Sequence, residues 1–436
     1  MRQTDVAIVG GGLAGSLAAA MLGRAGHQVL LIDPHDVYPV DFRCEKLDAS
    51  QLAILQKTGL APVVFNAATW DEEVWIVHGG RVAERKPHNQ ISFLYDTLVN
   101  TVRDEIPANV DVIIGKAAAI VTSAEHQTVT LTSGDTLSAR LVIMATGLNI
   151  GLRHMLGVER EVLSANHSIS VGFDMRSAAG SRLPFPALTY YADHPTERMA
   201  YMTLFPVQSA IRANLFVYRD MADPLLRTLR SDPRTALLTL MPELEQVTGP
   251  FEVEGFVKIR PVDLCRMQNY LHAGVVLVGD AFGTSCPAAG TGVNKVLTDV
   301  ERLCNVYVPR WLSSPGMSVD KIKEFYDDPD KRETDRASLA KAFFLRSLST
   351  DTAAIWKARR QGRRLRHTAF GLLRQVRRKA SWTNGRAVAA QVGAQEPLIT
   401  VSATQGVSIT PASASGSASA STPLSVHANV GEEARS

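Results

Sequence analysis

The amino-acid sequence predicts an α/β fold in which a parallel, helix-flanked sheet is interleaved with a separate antiparallel one. Three observations predict it. Strand and helix signals alternate at the start: a β-branched run Val6 to Val9, a glycine turn, a helical stretch Leu13 to Leu22, and an apolar run Val29 to Ile32. From about 166 to 258 the chain turns to successive short strands, ISVGFDM, ALTYYAD, MAYMTLF, ANLFVYRD and FEVEGFVKI, broken by one helical stretch near Pro224 to Leu240. A short apolar run, Val275 to Val278, then returns to the first sheet.

Three more strands are expected at Asn109 to Ile114, Thr128 to Thr132 and Leu141 to Met144. A Ser-Gly-Asp turn follows the middle one, so a small meander interrupts the parallel sheet. Beyond about residue 316 the pattern is helical. From Gly385 onward Ser, Ala, Gly and Pro dominate and no aromatic residue appears, a composition expected to stay disordered. The expected organisation is a nucleotide-binding domain over 1–165 and 259–315, a β-sheet substrate domain over 166–258, a basic helical region over 316–384, and a tail over 385–436. No internal repeat is evident.

Composition narrows the function classes. The 46 Lys and Arg nearly balance the 43 Asp and Glu, so whole-chain charge gives no reason to expect a nucleic-acid partner. Cys44, Cys265, Cys286 and Cys304 are scattered with no C-x-x-C pair, and the eleven histidines show no ligand spacing. Neither a disulfide framework nor a metal site is expected, and a reduced cytoplasmic setting fits. No signal-peptide core follows the first residues, and no run of about twenty apolar residues appears.

Gly10-Gly11-Gly12-Leu13-Ala14-Gly15 follows a predicted strand and opens a predicted helix, the context that the G-x-G-x-x-G fingerprint requires. Gly10 permits the tight turn, Gly12 lets the backbone approach a pyrophosphate on the helix N-terminus, and Gly15 lets helix and strand pack closely. Asp33 ends the second strand, where an acid accepts hydrogen bonds from a ribose hydroxyl. A Rossmann-type dinucleotide site follows, with Gly10, Gly12, Leu13, Ala14, Gly15 and Asp33 as its residues. The motif alone does not separate FAD from NAD.

A second motif separates them. Residues 275–303, VVLVGDAFGTSCPAAGTGVNKVLTDVERL, resemble the GD-x-x-H-x-x-x-P-x-x-G-x-G-x-N segment of the class A flavoprotein monooxygenases, the para-hydroxybenzoate hydroxylase family. Gly279, Asp280, Pro287, Gly290, Gly292, Asn294 and Asp299 match, and Val293 lies in the same turn. Asp280 at a strand end suits ribityl hydroxyls. The turn after Gly290 aims helix N–H groups at the flavin edge where negative charge develops on reduction. FAD is therefore the expected cofactor, bound without a covalent link.

Weaker matches join these two. Arg43 and the following KLDASQLAILQKTGL resemble the family's arginine and helix after the second strand, where a guanidinium reaches FAD phosphate. A solvated surface arginine is the competing reading. Ala145, Gly147, Arg153 and Gly157 match the family's A-D-G-x-x-S-x-x-R-x-x-x-G segment. In that segment the family's aspartate, implicated in handling FAD and NADPH, is Thr146, and its serine is Ile150. The histidine after the G-D pair is Gly283, and the arginine that usually opens the helix after an I-S-R strand is Tyr95. These departures leave FAD binding intact and argue against direct reduction by NADH or NADPH; a separate reductase partner becomes an option.

The resemblance implies a monooxygenase in which reduced flavin captures O₂ as a C4a-hydroperoxide and oxygenates a small organic substrate by hydroxylation or epoxidation. No acid–base dyad or nucleophile stands out, so no catalytic side chain is assigned; the cofactor does the bond making. A reductase of the geranylgeranyl-reductase type, a halogenase-like enzyme and a non-catalytic FAD-binding protein are the alternatives. Tyr190, Tyr191, Tyr201, Phe205 and Pro206 are candidates for a substrate wall, although aromatic strand residues are more often core. Cys286 reads as a small apolar wall residue, and Trp70 and Trp75 as packing. Residues 357–379 carry ten Lys and Arg and no acid, with Leu365, Ala369, Leu372, Leu373 and Val376 along one side. Such a helix makes a peripheral membrane contact, or docks its apolar stripe on the enzyme and leaves its charges solvated; attraction to nucleic acid is a third and weaker reading, because the stretch lacks interleaved aromatics.

Overall fold

In the computed structural model of the protein, which describes residues 2–392, two sheets organise the chain. β1 (Arg2–Val9) pairs in parallel with β2 (Val29–Asp33), Val6 opposite Val29, and α1 (Leu13–Arg24) connects them. All but the last residue of α1 is buried, which its Leu17-Ala18-Ala19-Ala20 run permits. β3 (Cys44–Leu47), α2 (Ala49–Lys57), α3 (Ala61–Asn66), β4 (Thr69–His78), β5 (Arg81–Leu94) and α4 (Tyr95–Arg103) come next. α2 starts on a capping box in which Asp48 accepts from Ser50 N–H and Gln51 reaches back to Asp48 N–H.

β6 (Val110–Ile114) extends the parallel sheet beside β2. β7 (Ala117–Val121), β8 (Gln127–Leu131) and β9 (Thr136–Met144) form the expected antiparallel meander, and β9 returns beside β1 in parallel. α5 (Gly151–Met155) leads into β10 (Glu159–Ser177), β11 (Ala187–Tyr191), β12 (Met199–Val207) and β13 (Ala210–Val217). Three short helices follow, α6 (Pro224–Ser231), α7 (Pro233–Leu240) and α8 (Glu245–Thr248), and then β14 (Phe251–Gln268). β15 (Val275–Leu277) rejoins the first sheet beside β9. The rest is helical: α9 (Gly292–Arg302), α10 (Val308–Leu312), α11 (Val319–Tyr326), α12 (Pro329–Thr350) and α13 (Ala354–Val392).

The first sheet has the order β6-β2-β1-β9-β8-β7 with β15 on β9, and the second β14-β10-β13-β12-β11-β4-β5-β3. The second sheet is larger than the sequence suggests. β3, β4 and β5, grouped above with the first domain, complete it, and β14 continues in it past residue 258. Their signals are weak because charged residues interrupt TWDEEVWIVH and RVAERKPHNQISFL.

Alternation along the second sheet gives it two unlike faces. Ile169, Val171, Phe173, Met202, Leu204 and Leu215 pack against Leu226 and Leu229 of α6 and Leu237 of α7. On the other face Ser170 lies level with Phe216 and Tyr201, and Gly172 level with Asn214 and Thr203. That face meets the first sheet's loops: Ser168 contacts Cys286, and the Tyr201 hydroxyl donates to the Ala288 carbonyl at 2.5 Å.

α13 lies the opposite way round from the docking expectation. Leu365, Leu372, Leu373 and Val376 are 69%, 59%, 57% and 65% exposed, whereas Gly371 is buried and Arg363, His367 and Arg374 are half-buried against the body of the protein. Gly371 is the closest point, since a Cβ there would run into the Ala83 carbonyl of β5. α13 continues to Val392, beyond the start of the tail expected at 385, and the remainder of that tail lies outside the described residues. Among the described residues no helix is long and apolar enough to cross a membrane.

The first turn depends on two glycines. Gly10 has φ +102°, and a Cβ there would lie 2.6 Å from the Ala145 carbonyl oxygen. A Cβ on Gly15 would fall inside the Gly10 carbonyl oxygen, so strand end and helix are in direct backbone contact. Gly15→Ala is expected to destabilise the apoprotein by about 1–3 kcal/mol through overpacking, measured as a lower midpoint in urea unfolding. An unchanged midpoint would mean that α1 moves away without cost.

Candidate active site

The turn after β1 borders a cavity of about 890 Å³ that runs between the strand ends of the first sheet and the loop around Arg43. Gly10, Gly12, Leu13, Ala14, Asp33, Arg43 and Asp280 line it, together with Thr146 and Gly147 of the loop after β9. Gly15 sits behind this wall, and Gly279 packs beside Ala14. Pro287, Gly290, Gly292, Val293 and Asn294 form the turn into α9 and do not line the cavity; Gly290 adopts the left-handed conformation that ends the short helical turn Pro287–Ala289.

Gly12 differs from its neighbours in what surrounds it. A Cβ there would meet only the Tyr95 hydroxyl, at 3.8 Å, so internal packing does not require glycine. The open space is the cavity itself. Tyr95 is the first residue of α4, and its hydroxyl stands beside Gly12 at the N-terminus of α1. The Arg43 guanidinium stacks on its ring at 3.7 Å, and Tyr38 meets that ring edge-on. Asp41 accepts from Arg43 Nε and Nη2 at 2.8 and 2.6 Å, so Arg43 is a fixed cation at the cavity edge and not a free surface side chain. Burial raises the Tyr95 hydroxyl well above its ordinary pKa and keeps it neutral.

Asp33 is more heavily engaged than the sequence implies. It accepts from Gly11 N–H at 2.6 Å and His35 N–H at 3.0 Å, and pairs with Arg103 at 3.0 Å. Arg103 also donates to the Gly11, His35 and Asp36 carbonyls, tying the end of α4 to both loops. Sequence reading missed Arg103, because a basic residue in the last turn of a helix has an ordinary electrostatic explanation.

Opposite, burial raises the Asp280 carboxyl above its ordinary pKa, and Lys295, Arg43 and Arg153 counter it. Arg153 is buried and donates to the Ala281 carbonyl at 2.7 Å, which fixes the turn that carries Asp280. Glu45 of β3, also missed, has its carboxyl pushed up to about 7 by burial, with Arg43 opposing and Asp280 and Asp41 adding to the rise. The charged run Arg43-Cys44-Glu45-Lys46 in a short strand is the one sequence signal that marks it.

Asp299 anchors the second motif. It accepts from Gly279 N–H at 2.8 Å and pairs with Lys331 of α12 at 2.8 Å, both side chains almost wholly buried. Lys331 reaches Asp335 at 3.2 Å, and Lys295 pairs with the same carboxylate at 3.2 Å while donating to the Gly283 carbonyl.

On the second sheet's inward face, Ser170 Oγ and Thr203 Oγ1 are buried without a hydrogen-bond partner, as is Ser285 Oγ in the facing loop. On the same face Phe42 packs on Gly172, its ring 3.0 Å from where a Cβ there would lie, and Arg260 stacks on it at 4.8 Å. Of the aromatic candidates, Tyr190 and Phe205 are core residues, and Tyr201 touches the Pro287–Ala289 turn. Tyr191 lies under α13 beside His367 and Arg363. Cys286 is buried and its thiol pKa is raised, first by burial, so it is an inert wall residue. Among the described residues no group of three or more His, Cys, Asp or Glu is placed to hold a metal ion.

This combination of a glycine turn with an open cradle, an acid at the end of β2 and a second sheet closing over the strand ends defines an FAD-dependent oxidoreductase. The chain belongs to the FAD binding domain family, whose sequence profile matches residues 3–306, and is an FAD-dependent monooxygenase. It is 23% identical over 355 residues to 3-demethoxyubiquinol 3-hydroxylase of Escherichia coli (strain K12), covering 75% of this chain and 87% of that one. To squalene monooxygenase of Mus musculus it is 25% identical over 317 residues, 68% of this chain; the match spans 53% of that relative's length. The fold is also that of p-nitrophenol 4-monooxygenase PnpA from Pseudomonas putida DLL-E4, with a TM-score of 0.68 at 16% identity, covering 85% of this chain and 95% of that one.

Removing the cation of the Asp299 pair while leaving the carboxylate buried is expected to cost about 3–5 kcal/mol in Lys331→Met. The double variant Asp299→Asn, Lys331→Met should recover part of that loss. Equal losses in the single and double variants, read by urea unfolding, would show that the pair is not what fixes α12 to the motif.

Proposed function

We propose that FAD lies along the 890 Å³ cavity and that the enzyme oxygenates an apolar, lipid-like substrate bearing a ring or alkene. N–H groups of Gly12, Leu13 and Ala14 face the pyrophosphate, with Gly10 and Gly15 shaping the turn, and Tyr95 and Arg43 stand beside it. Asp33 accepts from the adenosine ribose and Asp280 from the ribityl chain. The flavin ring would extend past Asp280, beyond that cavity, to the turn after Pro287 and Gly290, where the first-turn N–H groups of Gly292, Val293 and Asn294 would meet its pyrimidine edge. When bound and reduced, FAD supplies the electrons and the site of O₂ activation. The chain's own residues orient the substrate and exclude water: Phe42 and the Cys286–Ala289 turn form one wall, and the sheet face with Ser170 and Thr203 the other.

The reversed orientation of α13 carries the substrate reading. A helix that exposes its apolar stripe and flanks it with Arg and Lys has the form of a helix lying in a lipid interface. It rests on Tyr191, which meets Tyr201 edge-on at 5.7 Å, so the interfacial helix adjoins the proposed substrate wall. Two of the relatives are named for a ubiquinol and for squalene, which supports the same class. A peripheral membrane contact through residues 357–379 follows from this reading.

Four outcomes test it. Gly12→Val should fold normally, because space is open, but lose the yellow FAD absorbance; full loading in that variant would displace the cofactor from this turn. Full-length protein should float with vesicles containing anionic lipid, and Leu365→Ser with Leu372→Ser should stay at the bottom of the gradient; equal flotation would remove the membrane contact. With Thr146 in place of the resembled family's aspartate, whose segment serves NADPH, and Tyr95 in place of its arginine, NADH or NADPH alone should reduce the flavin slowly, so that a separate reductase is the proposed donor. Chemically reduced enzyme should be reoxidised rapidly by O₂ and place ¹⁸O in a quinol or polyene presented in vesicles. Oxygenation only of water-soluble phenols would overturn the lipid substrate. An alkene reduced without oxygen uptake would replace the monooxygenase reaction by a reductase one.

A further inference from the structure

α13 has a second feature that its apolar stripe does not explain. Lys357, Arg360, Arg363 and Arg364 border a cavity of about 340 Å³ between the start of α13 and the loop after β11. Its volume is at the lower end of ligand pockets. Four cations gathered on one rim repel one another unless an anion lies between them.

The protein supplies little of that anion. The lining contains a single carboxylate, Asp193, and it is already engaged by His78 at 3.2 Å and by Arg364 at 3.7 Å. Arg360 donates to the Leu348 and Asp351 carbonyls, which hold the guanidinium in place without neutralising it. Arg363 stacks on Tyr191 at 4.4 Å, and its Nε is buried with no hydrogen-bond partner. Lys357 has no carboxylate partner among the described residues. Two planar guanidinium groups and an ammonium around a small cavity match a tetrahedral oxyanion with more than one negative oxygen.

We infer that this pocket binds a phosphate group, and that the phosphate belongs to a lipid headgroup or to a free phosphate ion. The headgroup reading rests on the membrane contact proposed above. At 100° per residue, Arg360, Arg363 and His367 lie about half a turn from Leu365, Ala369 and Val376. A headgroup held on one side of α13 therefore leaves the opposite side to the acyl region, and the pocket fixes how the enzyme is rotated on the surface.

Calorimetry on the full-length, FAD-loaded protein tests this with two probes, inorganic phosphate and monomeric dihexanoyl phosphatidic acid. Binding of the short-chain lipid is expected, with at least a tenfold loss of affinity in Arg363→Gln and in Lys357→Gln and none in the exposed control Arg227→Gln. Lys357 is exposed, so its variant keeps the test valid if Arg363→Gln does not fold. At least tenfold tighter binding of the lipid assigns the headgroup as the source, and equal binding assigns free phosphate. No binding of either probe, or binding that both variants leave unchanged, overturns the site. The membrane reading is tested separately: Leu365→Ser with Leu372→Ser is expected to lose flotation with the phosphate titration intact, and equal flotation of that variant would remove the membrane contact while leaving the pocket. Wild-type protein that floats but binds neither probe would refute the pocket alone.

Discussion

A single buried carboxylate, Asp299, brings three distant segments of this chain to one place. It holds Gly279 N–H at the end of β15, stands on α9, and pairs with Lys331 on α12. Burying the two ions is unfavourable, and their attraction offsets it only with further hydrogen bonds. Those are present, because Lys331 also reaches Asp335 and Asp335 reaches Lys295, whose ammonium holds the Gly283 carbonyl. The Phe282 ring covers the Lys331 ammonium at 4.2 Å and excludes water from the pair. The loop from Gly279 to Gly283, which carries Asp280, is thus fixed by charges from behind, and Arg153 fixes it from the other side.

The same reasoning applied to the first motif shows why its three glycines are not equivalent. Gly10 and Gly15 are required by contacts inside the protein, Gly12 by nothing that the protein itself contains. The open space beside Gly12 is the room that the proposed FAD site uses. That inference needs coordinates, because sequence spacing treats the three positions alike.

Much of the architecture was legible. The βαβ opening, the meander and the five strands from β10 to β14 follow from hydrophobic period, since each lies where one or both faces are buried. β3, β4 and β5 were not legible as part of the second sheet. Their charged residues serve long-range partners, Lys46 of β3 over the Phe205 ring and Glu84 of β5 with Arg374, which no local pattern displays. At the cavity, Gly10, Gly12 and Asp280 could be located from the sequence, because each sits at a strand end marked by a local pattern. Arg103, Glu45 and Lys331 could not, because their roles come from elements that meet only after folding.

α13 shows how far a sequence-level periodicity carries. The apolar stripe was visible in the sequence, and so was the basic content, but an amphipathic helix does not state which face turns inward. Water alone would favour burying Leu365, Leu372 and Val376 and leaving the arginines solvated. The structure has the reverse, and the body of the protein prepares for it: Glu84 meets Arg374, Asp193 meets Arg364, Tyr191 meets Arg363, and His78 meets His367 at 3.0 Å. Matching groups on β4, β5 and β11 mean that the inward basic face is specified by the fold and is not a helix left over. A helix so specified leaves apolar area in water unless a second apolar surface covers it, and that exposed stripe is the observation on which the proposed lipid contact rests.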